Sequence, residues 1–131
     1  MSLAALFAEN FNVGDADLLA SLLAPDATAQ VIDAPFPEEQ GRGVIRTTSI
    51  PHILEMEPPV TARAETFEDE PWVLLVRSAT SDDDGVLEMA VRVIGNAAGD
   101  AIARLEYVTP PNAPDRLAAI AAAFGLAPAR D

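Results

Sequence analysis

The strongest constraint on the fold is a series of four strand-like segments, of which three alternate apolar and polar residues and the second is a β-rich run. They cover residues 60–70, 71–80, 85–95 and 100–109. Alternation with a period of two is typical of strands that bury one face. The connections carry turn-forming residues, namely Asp69-Glu70-Pro71, Ser81-Asp82-Asp83-Asp84-Gly85 and Gly95-Asn96-Ala97-Ala98-Gly99. The second half of the chain therefore predicts a meander of four antiparallel strands joined by hairpins.

Two helices are predicted ahead of this meander. Apolar residues recur at helical spacing over residues 2–13, and Gly14 ends that helix. Asp15 caps a second helix over residues 15–24, which ends at Pro25. Because the connection is short, the two helices are expected to pack as a hairpin.

The remaining segments complete an α+β order. Residues 27–33 predict a short strand and residues 34–43 a loop. Residues 44–56 predict a helix that Pro51 either kinks or restarts. Residues 114–128 predict a final amphipathic helix. Helices segregated from an antiparallel sheet define the α+β class.

One strand of the meander is apolar on both faces. Trp72, Leu74 and Val76 share one face, while Val73 and Leu75 share the other. An antiparallel sheet in a monomer commonly exposes one face to water. A second apolar face therefore predicts contact with another subunit, and we expect a homodimer.

The two strands that follow differ in how clearly they assign their faces. In the strand over residues 85–95, one apolar face is formed by Leu87, Met89, Val91 and Val93. In the last strand, the alternation leaves open whether Arg104 and Glu106 or Leu105 and Tyr107 face the helices.

Composition excludes several classes of function. Acidic residues outnumber basic ones by 21 to 8, and the net charge of −13 disfavours binding to nucleic acids or anionic membranes. The chain has no Cys and one His, so neither a metal site nor a cofactor is expected. The Asp82–Asp84 run lacks the ligand spacing of a calcium loop and predicts a solvated hairpin tip. No leader or membrane span is visible, and we expect a cytoplasmic protein. The heavy use of Ala and Arg, with no Lys, is typical of a GC-rich bacterial genome, and we expect a bacterial protein.

The layout resembles the NTF2-like superfamily, which includes SnoaL-type polyketide cyclases and ketosteroid isomerases. Three segments carry the resemblance: FAENFNVGDADLLASLLAPDATAQV, EEQGRGVIR and AAGDAIARLEYVTPP. It implies one domain over residues 1–131, a cystatin/NTF2-like cone. In such a cone, N-terminal helices pack on the concave face of a curved antiparallel sheet, and a pocket lies between the layers.

The resemblance also implies candidate catalytic residues. Ketosteroid isomerases use a carboxylate base at the end of the first strand, and a Tyr and a protonated Asp as an oxyanion hole. Asp33 matches the base, whereas Phe7 and Val91 stand where the Tyr and the Asp would be and cannot donate a hydrogen bond. The isomerase oxyanion hole is therefore absent from the matching positions. SnoaL cyclases use an acidic residue on a late strand, for which Glu88 and Glu106 are candidates.

Each candidate residue has a structural alternative. Asp33 is either a base beneath Phe36 or a turn-capping residue before Pro35. His52 either orients or protonates a ligand, or lies at a helix start on the pocket rim or surface.

The expected ligand contacts carry alternatives too. Trp72 either walls the cavity or packs in the core or an interface. Arg104 and Glu106 form either a polar cavity wall or a cross-strand pair. The expected ligand-binding residues are Phe7, Trp72, Met89, Val91, Arg104, Glu106 and Tyr107.

Three functions are compatible with these residues. The favoured one is binding of a small apolar molecule in the cone. The second is a SnoaL-like cyclase or isomerase that uses Asp33 as the base and His52 or an inward-facing Glu as its partner. The third is a non-catalytic dimerisation module. An enzyme needs an open cavity with at least two convergent titratable groups, and a binding protein needs an open apolar cavity.

Overall fold

Short helices and two strands interleave in the first half of the chain, and the antiparallel meander that completes the sheet follows them. The computed structural model describes residues 2–77 and 85–129. Its helices are α1 (Leu3–Val13), α2 (Ala16–Ser21), α3 (Arg42–Thr47), α4 (Ser49–Leu54) and α5 (Pro114–Ala123). Its strands are β1 (Leu23–Val31), β2 (Glu39–Gln40), β3 (Thr61–Phe67), β4 (Glu70–Arg77), β5 (Val86–Gly95), β6 (Ile102–Val108) and β7 (Ala127–Pro128). Within the described ranges, no helix combines the length and apolar character needed to cross a bilayer.

The two N-terminal helices begin and end on capping residues. The Ala5 amide donates to Ser2 Oγ (3.1 Å), and Gly14 ends α1 in the left-handed conformation, with φ at +83°. Asp15 Oδ1 accepts from the Leu18 amide (3.1 Å) at the start of α2. These contacts confirm the predicted junction between the helices.

The predicted end of α2 is wrong, because the chain enters the sheet earlier. The helix ends at Ser21, and the Leu22 carbonyl already accepts from the Ile102 amide (2.8 Å). Pro25 lies inside β1, where the pairing with β6 shifts register between Leu23 and Thr28. Irregular pairing tolerates a proline, since no ladder hydrogen bond is required of it. The first strand is therefore longer than the predicted segment over residues 27–33.

The sheet order is β2-β1-β6-β5-β4-β3, with β7 beside β5. The antiparallel meander from β3 to β6 is confirmed. The first hairpin turns at Glu68 and Asp69, whose φ values are +53° and +63°. The predicted hairpin tip at Ser81–Asp84 lies outside the described residues. β1 pairs in parallel with β6, so the sheet is mixed rather than wholly antiparallel as predicted.

Two helix predictions are refined by the structure. The segment over residues 44–56 breaks at Thr48 into α3 and α4, and Pro51 occupies the third position of α4. A proline there forfeits no helical hydrogen bond, because the first amides of a helix have no partner within it. The final helix ends at Ala123 rather than near residue 128, since the chain then pairs with β5 as β7.

Two apolar clusters lie on opposite faces of the sheet. The inner cluster joins helices α1 to α4 to the inner face, and includes Val73 and Leu75. The outer cluster joins α5 to the other face, where Leu117 and Ile120 pack with Trp72 and Leu74. The second apolar face of β4 is thus covered within the chain. This removes the premise from which the homodimer was inferred, and the homodimer stays a prediction.

A bulge between β4 and β5 changes the face of one residue. Leu75 pairs with Met89 and Val76 with Leu87, so Glu88 is an extra residue on β5. Met89 belongs to the inner cluster, while Leu87 belongs to the outer cluster. The prediction that Leu87 shares a face with Met89 is therefore wrong.

Asn12 fastens α1 to the edge strand β3 through two hydrogen bonds. Its Nδ2 donates to the Ala62 carbonyl (2.8 Å), and its Oδ1 accepts from the Ala62 amide (2.7 Å). We expect Asn12→Ala to lower the free energy of unfolding by about 1 to 2 kcal/mol, because both backbone groups lose a partly buried partner. Urea denaturation measures this. Asn10→Ala on the same helix is the control and should change stability by less than about 0.5 kcal/mol; equal effects would contradict the assignment.

Candidate functional site

A cavity of about 660 Å³ opens between α4, the inner face of the sheet and two proline-containing loops. Its apolar lining consists of Val31, Phe36, Pro37, Ile53, Met56, Met89, Pro110 and Pro111. Its polar lining consists of Glu39, Thr48, Ser49, His52, Glu88, Tyr107, Thr109 and Asn112. The wall is therefore apolar with polar groups at particular points, which is the usual character of a small-molecule site.

One rim of the cavity is a tight turn after β6. The Asn112 side chain donates from Nδ2 to Thr109 Oγ1 (3.0 Å), and the Ala113 amide donates to the Thr109 carbonyl (2.9 Å). Pro110 and Pro111 lie between them and have fixed φ angles. This rim is consequently held in place before any ligand arrives.

The most buried polar group of the cavity is the Tyr107 hydroxyl. Alternation along β6 directs Tyr107 inward, and the side chain is 2% exposed. Ser49, the first residue of α4, places its Oγ 2.7 Å from the Tyr107 Oη. The Ser49 amide donates to Glu39 Oε1 (3.2 Å). Residues of three elements thus meet at one point: β2, α4 and the distant strand β6.

The Tyr107 hydroxyl stays protonated at neutral pH. Burial raises the pKa of the Tyr107 hydroxyl far above its ordinary value, and the negative charge of Glu39 adds to this. The hydrogen bond with Ser49 offsets only part of the rise. Tyr107 is therefore a neutral hydrogen-bonding group, and not a phenolate base.

Among the described residues of the cavity wall, the carboxylates of Glu39 and Glu88 have different surroundings. Glu88, the bulged residue of β5, lies 2.6 Å from Arg77 Nε through its Oε1, so its charge is balanced. Glu39 makes no ion pair within the described part of the chain. His52 is exposed at the rim on α4. Glu39 is therefore the negative charge that an incoming ligand meets.

Some of the residues predicted from sequence reach the cavity and others support it. His52, Met89 and Tyr107 line the wall. Phe7 and Val91 are fully buried in the inner cluster and do not line the wall. They hold α1 against the sheet, which fixes one boundary of the cavity.

Asp33 does not reach the cavity wall. It is exposed in the turn after β1, with φ at +60°, and the neighbouring Ala34 amide donates to the Val31 carbonyl (3.4 Å). Aspartate tolerates this left-handed conformation better than most residues. The surroundings of Asp33 are those of the turn alternative, and Phe36 does not bury it, being 57% exposed itself.

Arg104 and Glu106 lie on the outer face of the sheet, away from the cavity. Arg104 Nε donates to Glu106 Oε2 (3.0 Å), and Arg92 Nη1 donates to Glu106 Oε1 (3.0 Å). Arg104 also contacts Gln30 (2.6 Å) and Glu38. Their inward orientation is therefore not adopted, because Leu105 and Tyr107 occupy the inner face.

The outer ion pairs change the pKa of Glu106. Burial alone would raise the pKa of this carboxyl, but the hydrogen bond and charge of Arg104, with help from Arg92, hold it below its ordinary value. Burial alone would lower the pKa of the Arg104 guanidinium, but the hydrogen bonds and charges of Glu38 and Glu106 outweigh burial and raise that pKa. Both groups are charged at neutral pH.

Trp72 also lies on the outer face. It is 2% exposed, and the Arg116 guanidinium lies 5.5 Å from the centre of its ring. The indole N–H has no hydrogen-bond partner within the described residues. Trp72 therefore belongs to the packing between α5 and the sheet and not to the cavity wall.

Sequence patterns did not identify Glu39 and Ser49. Glu39 stands in a segment predicted as loop, and Ser49 in a segment predicted as a kinked helix. Their closeness to Tyr107 depends on how α4 and β2 pack, and no local pattern reports it. Among the described residues, no group of three His, Cys, Asp or Glu side chains is placed to hold a metal ion.

Neither a family model nor a curated protein matches the sequence. Solved structures do share its fold. A cystatin-like-fold protein from Silicibacter pomeroyi has a TM-score of 0.60 at 18% identity, over 81% of this chain and 72% of that chain. An NTF2-like protein from Cytophaga hutchinsonii has a TM-score of 0.55 at 9% identity, over 83% and 88%.

A third structure is that of an enzyme. SalBIII, an epoxide hydrolase/cyclase-like enzyme with a role in pyran ring formation in the polyether salinomycin, has a TM-score of 0.56 at 15% identity. The alignment covers 82% of this chain and 87% of that chain. At such identities the likeness concerns the fold, and it confirms the predicted α+β, cystatin/NTF2-like architecture.

Proposed function

We propose that this protein, built on an NTF2-like fold, binds a small, largely apolar molecule in the cavity between α4 and the inner face of the sheet. The observation that carries the proposal is the size and the lining of this cavity. A volume of about 660 Å³ lies within the range of roughly 300–1,000 Å³ that is usual for small-molecule pockets. Apolar side chains with a few convergent polar groups supply both affinity and orientation.

Exposed apolar surface at the cavity mouth supports the proposal. Phe36 is 57% exposed, although it is large and apolar, and it lines the cavity. Pro37 and Pro111, also exposed, line the same cavity. A ligand in the cavity would cover part of this surface, at a gain of roughly 25 cal/mol per Å² of apolar area removed from water.

Binding is testable with acetylnaphthalene and ethylnaphthalene, two neutral apolar probes, by titration calorimetry. We expect saturable binding of both at one site per chain. Met56→Trp, which adds bulk to the wall, should weaken both at least about tenfold, because the larger ring occupies ligand space.

Val44→Trp is the matched control. Val44 is 47% exposed on α3 and does not line the cavity, so its replacement should change neither affinity by more than about twofold. If neither probe saturates the protein, or if Met56→Trp binds as the unaltered chain does, the cavity is not the binding site.

A second candidate function is a SnoaL-like cyclase or isomerase that uses a cavity carboxylate as the general base. The observation in its favour is that titratable groups, namely Glu39, His52 and Tyr107, line one cavity. SalBIII provides an enzyme on the same fold. In this candidate the base is Glu39, since Asp33 lies outside the cavity. Turnover of a cyclic ketone or polyketide-like substrate that survives Glu39→Gln would exclude Glu39 as the base.

A further inference from the structure

The Ser49–Tyr107 hydroxyl pair has one more proton than its mutual hydrogen bond uses. The two oxygens lie 2.7 Å apart, and either can be the donor. Each hydroxyl carries one proton, so one bond leaves one proton over. Within the described residues, neither hydroxyl makes a second hydrogen bond. The pair therefore has a donor to offer to another molecule.

The position of this unused donor restricts which groups can accept its hydrogen bond. Tyr107 is 2% exposed, and Ser49 is only partly exposed. Glu39, Thr109 and Asn112 also line the cavity, but within the described residues none of their side chains makes a hydrogen bond with either hydroxyl. A donor left unpaired in such surroundings is unfavourable, because the group has given up its hydrogen bonds to water without replacing them. An acceptor oxygen inside the cavity removes that cost.

The charge of the cavity restricts the acceptor further. Glu88 is balanced by Arg77, whereas Glu39 makes no ion pair within the described residues. Glu39 is also joined to the Ser49 amide, so its charge lies beside the hydroxyl pair. The net charge of −13 adds a repulsive field. A carboxylate that approaches the hydroxyl pair is therefore repelled, while a neutral oxygen is not.

We infer that the ligand is a neutral apolar molecule carrying a hydrogen-bond-accepting oxygen, such as a ketone or lactone, that the Ser49–Tyr107 pair recognises this oxygen, and that Glu39 excludes carboxylates. The inference rests on the proposed function and narrows it to one chemical class. It gives Ser49 and Glu39 a role in ligand specificity, which neither the sequence patterns nor the fold alone indicate.

Matched probes test the oxygen. Acetylnaphthalene and ethylnaphthalene have the same shape, but only the ketone carries an acceptor. The ratio of their affinities cancels the contribution of the shared ring. We expect this ratio to fall about fivefold in the double variant Ser49→Ala/Tyr107→Phe, as expected for one neutral hydrogen bond. Removing both hydroxyls leaves no orphaned partner, and Ser21→Ala on α2 serves as the control with an unchanged ratio.

A spectroscopic measurement on the unaltered protein makes the test independent of how the variant folds. Hydrogen bonding lowers the carbonyl stretching frequency of bound acetylnaphthalene relative to its value in hydrocarbon solvent. An unshifted carbonyl band would overturn the inference, as would an unchanged affinity ratio in the double variant. If neither naphthalene binds at all, the proposed function fails as well, so the two failures are distinguishable.

Naphthoate, the isosteric carboxylate, tests the role of Glu39. We expect Glu39→Gln to raise the affinity for naphthoate at least about fivefold relative to acetylnaphthalene, because a nearby like charge is removed. Glu38→Gln is the matched control: it removes the same charge from the adjacent residue, which pairs with Arg104 on the outer face. Equal gains in both variants would show that net charge, and not Glu39, excludes anions.

Discussion

We expect Trp72→Ala to lower the free energy of unfolding by about 3 to 5 kcal/mol, the usual cost of emptying a buried aromatic site. Trp72 is 2% exposed and packs in the outer cluster with Leu117 and Ile120 of α5. Its loss leaves a cavity between helix and sheet and removes the partner of Arg116. Since Trp72 is the only tryptophan, guanidinium denaturation is followed by circular dichroism.

Trp72→Phe separates packing from ligand contact. The smaller ring should recover much of the stability, because it refills most of the space. Its affinity for acetylnaphthalene should stay within about twofold of the unaltered protein, since Trp72 lies across the sheet from the cavity. A loss of affinity as large as that of Met56→Trp would show that Trp72 contacts the ligand after all.

We expect Glu106→Gln to lower the free energy of unfolding at pH 7 by about 2 to 3 kcal/mol. The carboxylate accepts from both Arg104 and Arg92, and its side chain is only 15% exposed. Charge-assisted hydrogen bonds of this kind each contribute roughly 1.5 to 3 kcal/mol, and a neutral amide keeps part of one of them. The two guanidinium groups are then left with fewer acceptors.

The cost of Glu106→Gln depends on pH in a defined direction. The pKa of Glu106 is lower in the folded than in the unfolded chain. Its contribution to stability is therefore complete above the unfolded value of about 4.3 and disappears as pH falls through the folded value. Urea denaturation between pH 7 and pH 3 should show the difference between the two proteins shrinking only at the acidic end.

Glu65→Gln provides the control for this prediction. Glu65, on β3, forms a looser pair with Arg63 at 3.6 Å, and both side chains are about one-third or more exposed. Its replacement should cost less than about 0.5 kcal/mol. A Glu106→Gln cost that is equally small, or that grows at low pH, would contradict the assignment of the outer ion pairs.

Local patterns predicted the parts of the fold that local contacts determine. The caps at Ser2 and Asp15 and the meander from β3 to β6 depend on neighbours in sequence. The parallel pairing of β1 with β6 joins residues such as Thr28 and Arg104, and no local signal reports it. Pro25 was interpreted as a helix end because its tolerance at a bulge depends on that distant pairing.

The candidate site was predicted less completely than the fold. The sequence predicts Tyr107 as a ligand contact on the last strand. The face of β6 stayed open, because the opposite set also contains apolar residues such as Val108, which packs in the outer cluster. When helices cover both faces of a sheet, apolar residues are buried at the odd and at the even positions of a strand. Alternation alone then does not show which of the two sets faces the cavity.

The position of helix α5 on the outer face of the sheet affects which residues of such a chain can be substituted during evolution. The outer cluster packs against the central strands from the face opposite the cavity and, among the residues that the structure describes, shares no side chain with the cavity wall. The exposed residues at the opening, such as Phe36 and Pro37, therefore contribute little to the packing that keeps the scaffold folded. They can be substituted by residues that suit a different ligand. The separation of the outer cluster from the cavity opening thus allows one fold to accept different ligands.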